Sequence, residues 1–173
     1  MSRNYLSTGW SSAAPLWHTF EQAAGISFIG AELSYQIRVT DALSVGPDVH
    51  WQLFDAVSKT IARPNSAVIN DWHEKRFLNA GVTAHYYFFK RDTMLPYLGL
   101  GIGGLRVREK RELPAPHTAD SVWHISAASE IGMYILHGRI PVWFSSRLIV
   151  GIPSRKTGGE MMTFFTLGIT VPN

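Results

Sequence analysis

"PYLGLGIGGL" (residues 96–105) decides how this chain is read. Gly99, Gly101 and Gly103 alternate with Leu98, Leu100 and Ile102. Glycine at that density weakens a helix, because each one surrenders the most backbone freedom on folding. As a strand the segment is two-faced, since successive side chains point to opposite sides. One face is nearly bare and the other is aliphatic. The remaining sequence says where such a strand is useful.

The same period of two recurs along the chain. In "ISFIGAELSYQIR" (26–38) Ile29, Ala31, Leu33, Tyr35 and Ile37 share one face, and Gly30, Glu32, Ser34, Gln36 and Arg38 the other. "LSVGPDVHWQLF" (43–54) sets Val45, Val49, Trp51 and Leu53 against Ser44, Asp48, His50 and Gln52. "FLNAGVTAHYYFF" (77–89), "WHISAASEIGMYIL" (123–136), "PVWFSSRLIVGI" (141–152) and "MMTFFTLGITV" (161–171) alternate in the same way. Together with the opening stretch and a weaker "NYLSTGWSSA" (4–13), these make eight strands. Short connections, "VTDA", "KRDTM" and "HGR", alternate with mostly longer ones, the clearest at 55–76 and 109–122. The connection at "PSRKTGG" is brief. Pro47 lies inside a strand and has no N–H for the ladder, which predicts a bulge there. No linker or low-complexity tract divides the chain, so residues 1–173 read as a single domain.

Composition narrows the class. Only 17% of the 173 residues are charged, and a formal net charge of +3 with basic and acidic residues mixed does not by itself suggest nucleic acid. The absence of cysteine excludes a disulfide scaffold and any thiolate metal site. No run of 18 apolar residues supplies a transmembrane helix. The N-terminal "MSRNYLSTGW" lacks the apolar core of a signal peptide, so the chain either stays inside the cell or begins after a removed signal.

Alternation alone fits a soluble barrel with an apolar core. Two features invert the faces. The polar face is built mainly of Gly, Ser, Thr and Asn with isolated charges, whereas a soluble exterior carries many Lys and Glu. The strands run to about 10–13 residues, longer than the usual 5–6 of globular sheets and enough for a tilted strand to cross hydrocarbon. The apolar face is therefore expected to meet lipid and the small polar face to line a narrow lumen, with the backbone satisfied by closure. Trp10, Trp17, Trp51, Trp72, Trp123, Trp143, Tyr35, Tyr86, Tyr97 and Tyr134 fall mostly near strand ends, and are expected at the two membrane interfaces.

On "PYLGLGIGGL", the hairpin rhythm and the final strand "MTFFTLGITV", nearly the whole chain resembles the small eight-stranded outer-membrane barrels of the OmpA/OmpX type. The resemblance implies an all-β, eight-stranded antiparallel up-and-down transmembrane β-barrel in a bacterial outer membrane. It also implies periplasmic termini, short periplasmic turns and longer outer loops. The last strand departs from that family by running on to "VPN" rather than ending on an aromatic residue.

The lumen face collects Glu32, Arg38, Asp48, His50, His85, His124, Glu130 and Arg147. Charges in so narrow a space must pair, and Arg147 is expected to bridge to Glu130 or to Glu32. The core of this network is Glu32, Asp48, His50, His85, Glu130 and Arg147. It closes the barrel in one reading and gates a narrow pore in another. His50, His85 and His124 lie on different strands and read as lumen histidines rather than a metal site, so no metal or cofactor is expected. "HIS" (124–126) is similar to the His-x-Ser of barrel lipid A deacylases, but residues 142–152 offer no carboxylate to orient His124. Lastly, Arg106, Arg108, Lys110 and Arg111 cluster at the outer end of the fifth strand, with Lys75, Arg76, Arg155 and Lys156 at comparable ends. Such cations either hold lipopolysaccharide phosphates or snorkel at the membrane edge.

The expected role is structural, adhesive or that of an accessory subunit in a larger envelope complex. Its expected partners are outer-membrane lipid and lipopolysaccharide, and not nucleic acid. A lipid A-modifying enzyme and a narrow gated pore are the competing readings.

Overall fold

The computed structural model describes residues 4–16, 25–57, 72–88, 93–112, 118–137, 140–152 and 159–172; at 55–57, 72–73, 111–112, 118–120 and 172 it describes the backbone alone. These residues form eight strands: β1 (Asn4–Leu16), β2 (Ile29–Arg38), β3 (Leu43–Val57), β4 (Trp72–Tyr87), β5 (Met94–Glu112), β6 (Thr118–Ile135), β7 (Val142–Gly151) and β8 (Glu160–Pro172). Each pairs antiparallel with the next, and β1 pairs with β8 from Tyr5↔Pro172 to Leu16↔Met161, closing the barrel. Closure removes both sheet edges, which is what an apolar solvent demands of a strand-built wall.

The faces fall as the alternation predicts. Leu100, Ile102 and Ile125 are 72%, 74% and 71% exposed on the outside, while Glu130 and Arg147 are 4% and 1% exposed within. The glycines of "PYLGLGIGGL" line the lumen. A side chain at Gly99 would stand 3.0 Å from the His85 ring and 3.1 Å from Glu130 Cβ, so its absence makes room for two long neighbours.

Strand lengths differ from the sequence reading. β2 and β7 have 10 residues, but β3, β4, β5 and β6 have 15, 16, 19 and 18. About 9–11 residues suffice for a tilted strand to cross a hydrocarbon layer, and the last four are well longer than that. Their ladders continue to Val57↔Trp72, Trp72↔Glu112 and Arg111↔Thr118. The expected loops 55–76 and 109–122 are thus largely strand at both ends. The charge run "RVREKRE" (106–112) hid this, because its alternation is of charge with charge.

The bulge expected at Pro47 is absent. β2–β3 pairing skips Tyr35 and Gln36 and resumes in the same register at Ile37↔Val45. Gly46 absorbs the disturbance: a side chain there would meet the Tyr35 carbonyl oxygen at 1.7 Å. The register steps instead between Trp10↔Ala31 and Ala13↔Ser27, where Phe28, Ile29 and Gly30 oppose Ser11 and Ser12. Phe28 and Ile29 both face out as a result, and Phe28 stacks on Trp10 with centroids 6.4 Å apart.

Candidate functional site

The lumen is filled in three layers. At the end of the short turns, Tyr5, Tyr87, Leu95, Tyr97, Tyr134 and Trp143 are buried. Their rings are in contact: Tyr97 and Tyr134 centroids are 5.1 Å apart, Tyr5 and Tyr134 5.9 Å, Tyr134 and Trp143 6.2 Å. Gly132 makes the seat, since a side chain there would lie 2.5 Å from the Tyr97 ring. Tyr97, Tyr134 and Trp143 therefore correct the expectation that places them at the membrane interfaces. Trp10, Trp51, Trp123 and Tyr86 do face outward. Trp17, and the side chain of Trp72, lie outside the described residues. At the opposite end an apolar cluster of Ala13, Phe54, Phe77, Leu105, Val107, Ile149, Met162 and Phe164 fills the bore.

Between these plugs lies the charged layer. Glu130 and Arg147 stand opposite each other on β6 and β7. Arg147 Nε donates to Glu130 Oε2 at 2.8 Å, and Nη2 donates to the same oxygen. Nη1 reaches across the lumen to donate to Asp48 Oδ2 on β3, and Nη2 lies 3.7 Å from Glu32 Oε1 on β2. One guanidinium thus ties four strands to a common centre. Tyr97 donates its hydroxyl to Glu130 Oε1 at 2.6 Å, and Thr83 donates to Asp48 Oδ1 at 2.6 Å. Both donors were missed as site residues, although each shares a face with Gly99 or His85 in the alternation.

The histidines complete this layer. His50 Nε2 is 2.9 Å from Glu32 Oε1 but off the ring's N–H direction, so the two are in contact without a directed hydrogen bond. The His85 ring stacks on Tyr97 at 4.3 Å, with Nε2 3.7 Å from Glu130 Oε2. His124 lies apart, its Nδ1 3.3 Å from the Ile152 carbonyl oxygen. The three histidines are not gathered, and no group of His, Asp and Glu among the described residues is arranged to hold a metal ion. Ser126, two residues along from His124, accepts from Asn79 Nδ2 at 2.6 Å inside the lumen. Arg38 closes the short-turn end, donating to Tyr5 Oη at 3.0 Å.

Outside, the β4–β5–β6 registers set side chains in rows. Glu74 and Lys110 form one; Arg76, Arg108 and Ser121 the next; then Leu78, Arg106 and Trp123; then Ala80, Gly104 and Ile125; then Val82, Ile102 and Ala127. The surface turns from cationic to apolar across the Leu78 row. Arg106 and Arg108 stand there on the outer face, whereas the side chain of Arg111 and all of Arg155 and Lys156 lie outside the described residues. Lys75 is no part of this rim: it points inward and pairs with Glu160 at 3.0 Å.

No protein-family model matches the chain, and no curated protein matches it in sequence. Solved structures do match. Surface protein A of Neisseria is 14% identical, with 99% of this chain and 98% of that one covered and a TM-score of 0.68. Ail, the attachment invasion locus protein of Yersinia pestis, in complex with the heparin analogue sucrose octasulfate, is 11% identical over 99% and 100% at 0.61. The N-terminal β-barrel domain of Pseudomonas aeruginosa OprF is 12% identical over 99% and 100% at 0.55. The chain has the fold of the small outer-membrane β-barrels. Within that fold, among the described residues, aromatic, ion-paired and aliphatic side chains occupy the bore, and aliphatic side chains cover the outside.

Proposed function

We propose that this barrel is an outer-membrane protein of structural and adhesive role, with a lumen that conducts nothing and outer strands that carry recognition. The carrying observation is the filling of the bore: among the described residues an aromatic cluster, an ion-paired centre and an apolar cluster follow one another along it. The rise of β3–β6 beyond the apolar belt supports a presented surface, and the attachment protein among the similar folds is consistent with it. The pore reading draws no support from a bore packed with buried rings at one end and aliphatic groups at the other. The lipid A-modifying reading draws none from His124 and Ser126, which are buried in the lumen away from lipid. Planar-bilayer recording of the purified barrel tests the proposal. Silent traces, together with surface attachment lost when the β5–β6 tip is replaced by a short Gly-Asn turn, are the expected result. Steady unitary currents from the unaltered protein overturn it.

A further inference from the structure

We infer that the outer face of β4–β6 is a binding site for one phosphorylated lipid of the surrounding leaflet, headgroup on Arg76 and Arg108, chains on the small-residue patch below. Arg76 and Arg108 are directly opposed on neighbouring strands. Like charges in that position destabilise a sheet unless an anion lies between them. Glu74 pairs with Arg76, but no carboxylate pairs with Arg108 among the described residues. With Lys110 these groups line an open pocket of about 190 Å³. Guanidinium groups suit phosphate because their N–H fork matches its oxygens.

The surroundings say that the phosphate belongs to a lipid. Arg106 is held in place at the boundary, its Nε donating to Ser121 Oγ at 2.8 Å and its guanidinium 5.8 Å from the Trp123 ring centroid. Below it, Gly104 and Ala80 leave a shallow notch, walled by the Trp123 ring 3.4 Å from where a Gly104 Cβ would stand. Rows of outward side chains are spaced about 7 Å apart along a strand, so the Gly104 row lies roughly 13 Å below the Arg108 row. A phosphate held at Arg108 therefore has its hydrocarbon already against Ile102 and Ile125. A soluble anion would use the cations and leave the notch empty.

The inference rests on the lipid-facing assignment of the belt, and its test separates the two. The full-length barrel is reconstituted in phosphatidylcholine nanodiscs containing either bisphosphorylated lipid A or its dephosphorylated form. Lipid retained after detergent extraction is counted by native mass spectrometry. The wild type is expected to hold one bisphosphorylated lipid A. Arg76→Gln with Arg108→Gln, and separately the loss of the phosphates, should each lower retention by about tenfold or more. Gly104→Phe, which fills the notch and keeps every cation, should also weaken retention. Each variant must keep the heat-modifiable gel mobility of a folded barrel, and a fold lost in the wild type would indict the membrane assignment instead. Equal retention by the double-Gln variant, or of the dephosphorylated lipid, overturns the inference. Inorganic pyrophosphate bound by the wild type as tightly as lipid A overturns the choice of a lipid.

Discussion

Arg147 and Glu130 face each other across the β6–β7 ladder and are joined by two donations to one carboxylate oxygen, the adjacent-strand half of a centre that also holds Asp48 and Glu32. The partners come from β2, β3, β6 and β7, which are distant in sequence, so the centre forms only when the barrel closes.

Removing the guanidinium leaves three buried carboxylates, Glu32, Asp48 and Glu130, without their common partner. Arg147→Ala should cost about 3–5 kcal/mol, the usual loss when one partner of a buried ion pair is deleted. Glu130→Gln keeps an acceptor for Tyr97 and Arg147 and should cost less. Urea unfolding in lipid vesicles, followed by gel mobility without boiling, reads both.

Gly132 is the seat of the Tyr97 ring, with no space for a β-carbon. Gly132→Ala should destabilise the barrel by about 1–3 kcal/mol through overpacking. Tyr97→Ala empties that space, so the double variant should fall short of the summed single losses. A double-mutant cycle of unfolding free energies checks the coupling.

The outward rows assign depth. Leu100 lies three rows nearer the short turns than Arg106 and sits deep in the apolar belt, whereas Leu78 is paired with Arg106 at its upper edge. Leu100→Arg should cost about 2–4 kcal/mol and Leu78→Arg about 0–1, because arginine is expensive only near the middle of the hydrocarbon. Equal costs at the two positions would contradict the depth assignment.

The same contrast shows what could be read from sequence. Period two fixed the faces of nearly every strand, because a one-residue slip would turn Leu33 or Ile102 inward and Glu32 or Gly101 into lipid. It also placed Tyr134 with Glu130, and Trp143 with Arg147. The aromatic-belt rule pulled both rings outward against their own register, and the register was right. The reach of Arg147 to Asp48 was not legible, since it depends on bore width and on which strands lie across from each other. The rise of β5 was obscured by a charge run, and the shifted bulge by a segment (Ser27–Gly30) with no proline to mark it. Pro47 drew attention to a place where Gly46 had already relieved the strain.

The layered filling of the bore can be probed from its short-turn end. Trimming the aromatic plug with Tyr97→Ala and Trp143→Ala removes two rings but leaves the ion-paired centre and the apolar plug. Planar bilayers should stay silent for this variant, because the Arg147 centre and the Phe54–Phe77–Phe164 cluster still fill the bore; current from it would contradict the filled-bore account.

The central claim is that the Leu33, Leu100 and Ile125 side of the wall touches lipid while the Glu32 and Arg147 side is enclosed. The chain has no native cysteine, so single cysteines can be placed and spin-labelled without a background. Labels at Leu33→Cys, Leu100→Cys and Ile125→Cys in lipid bilayers should be broadened by oxygen, which partitions into hydrocarbon, and left untouched by a water-soluble nickel chelate. Broadening by the chelate at all three positions, as on a water-facing surface, would contradict the account.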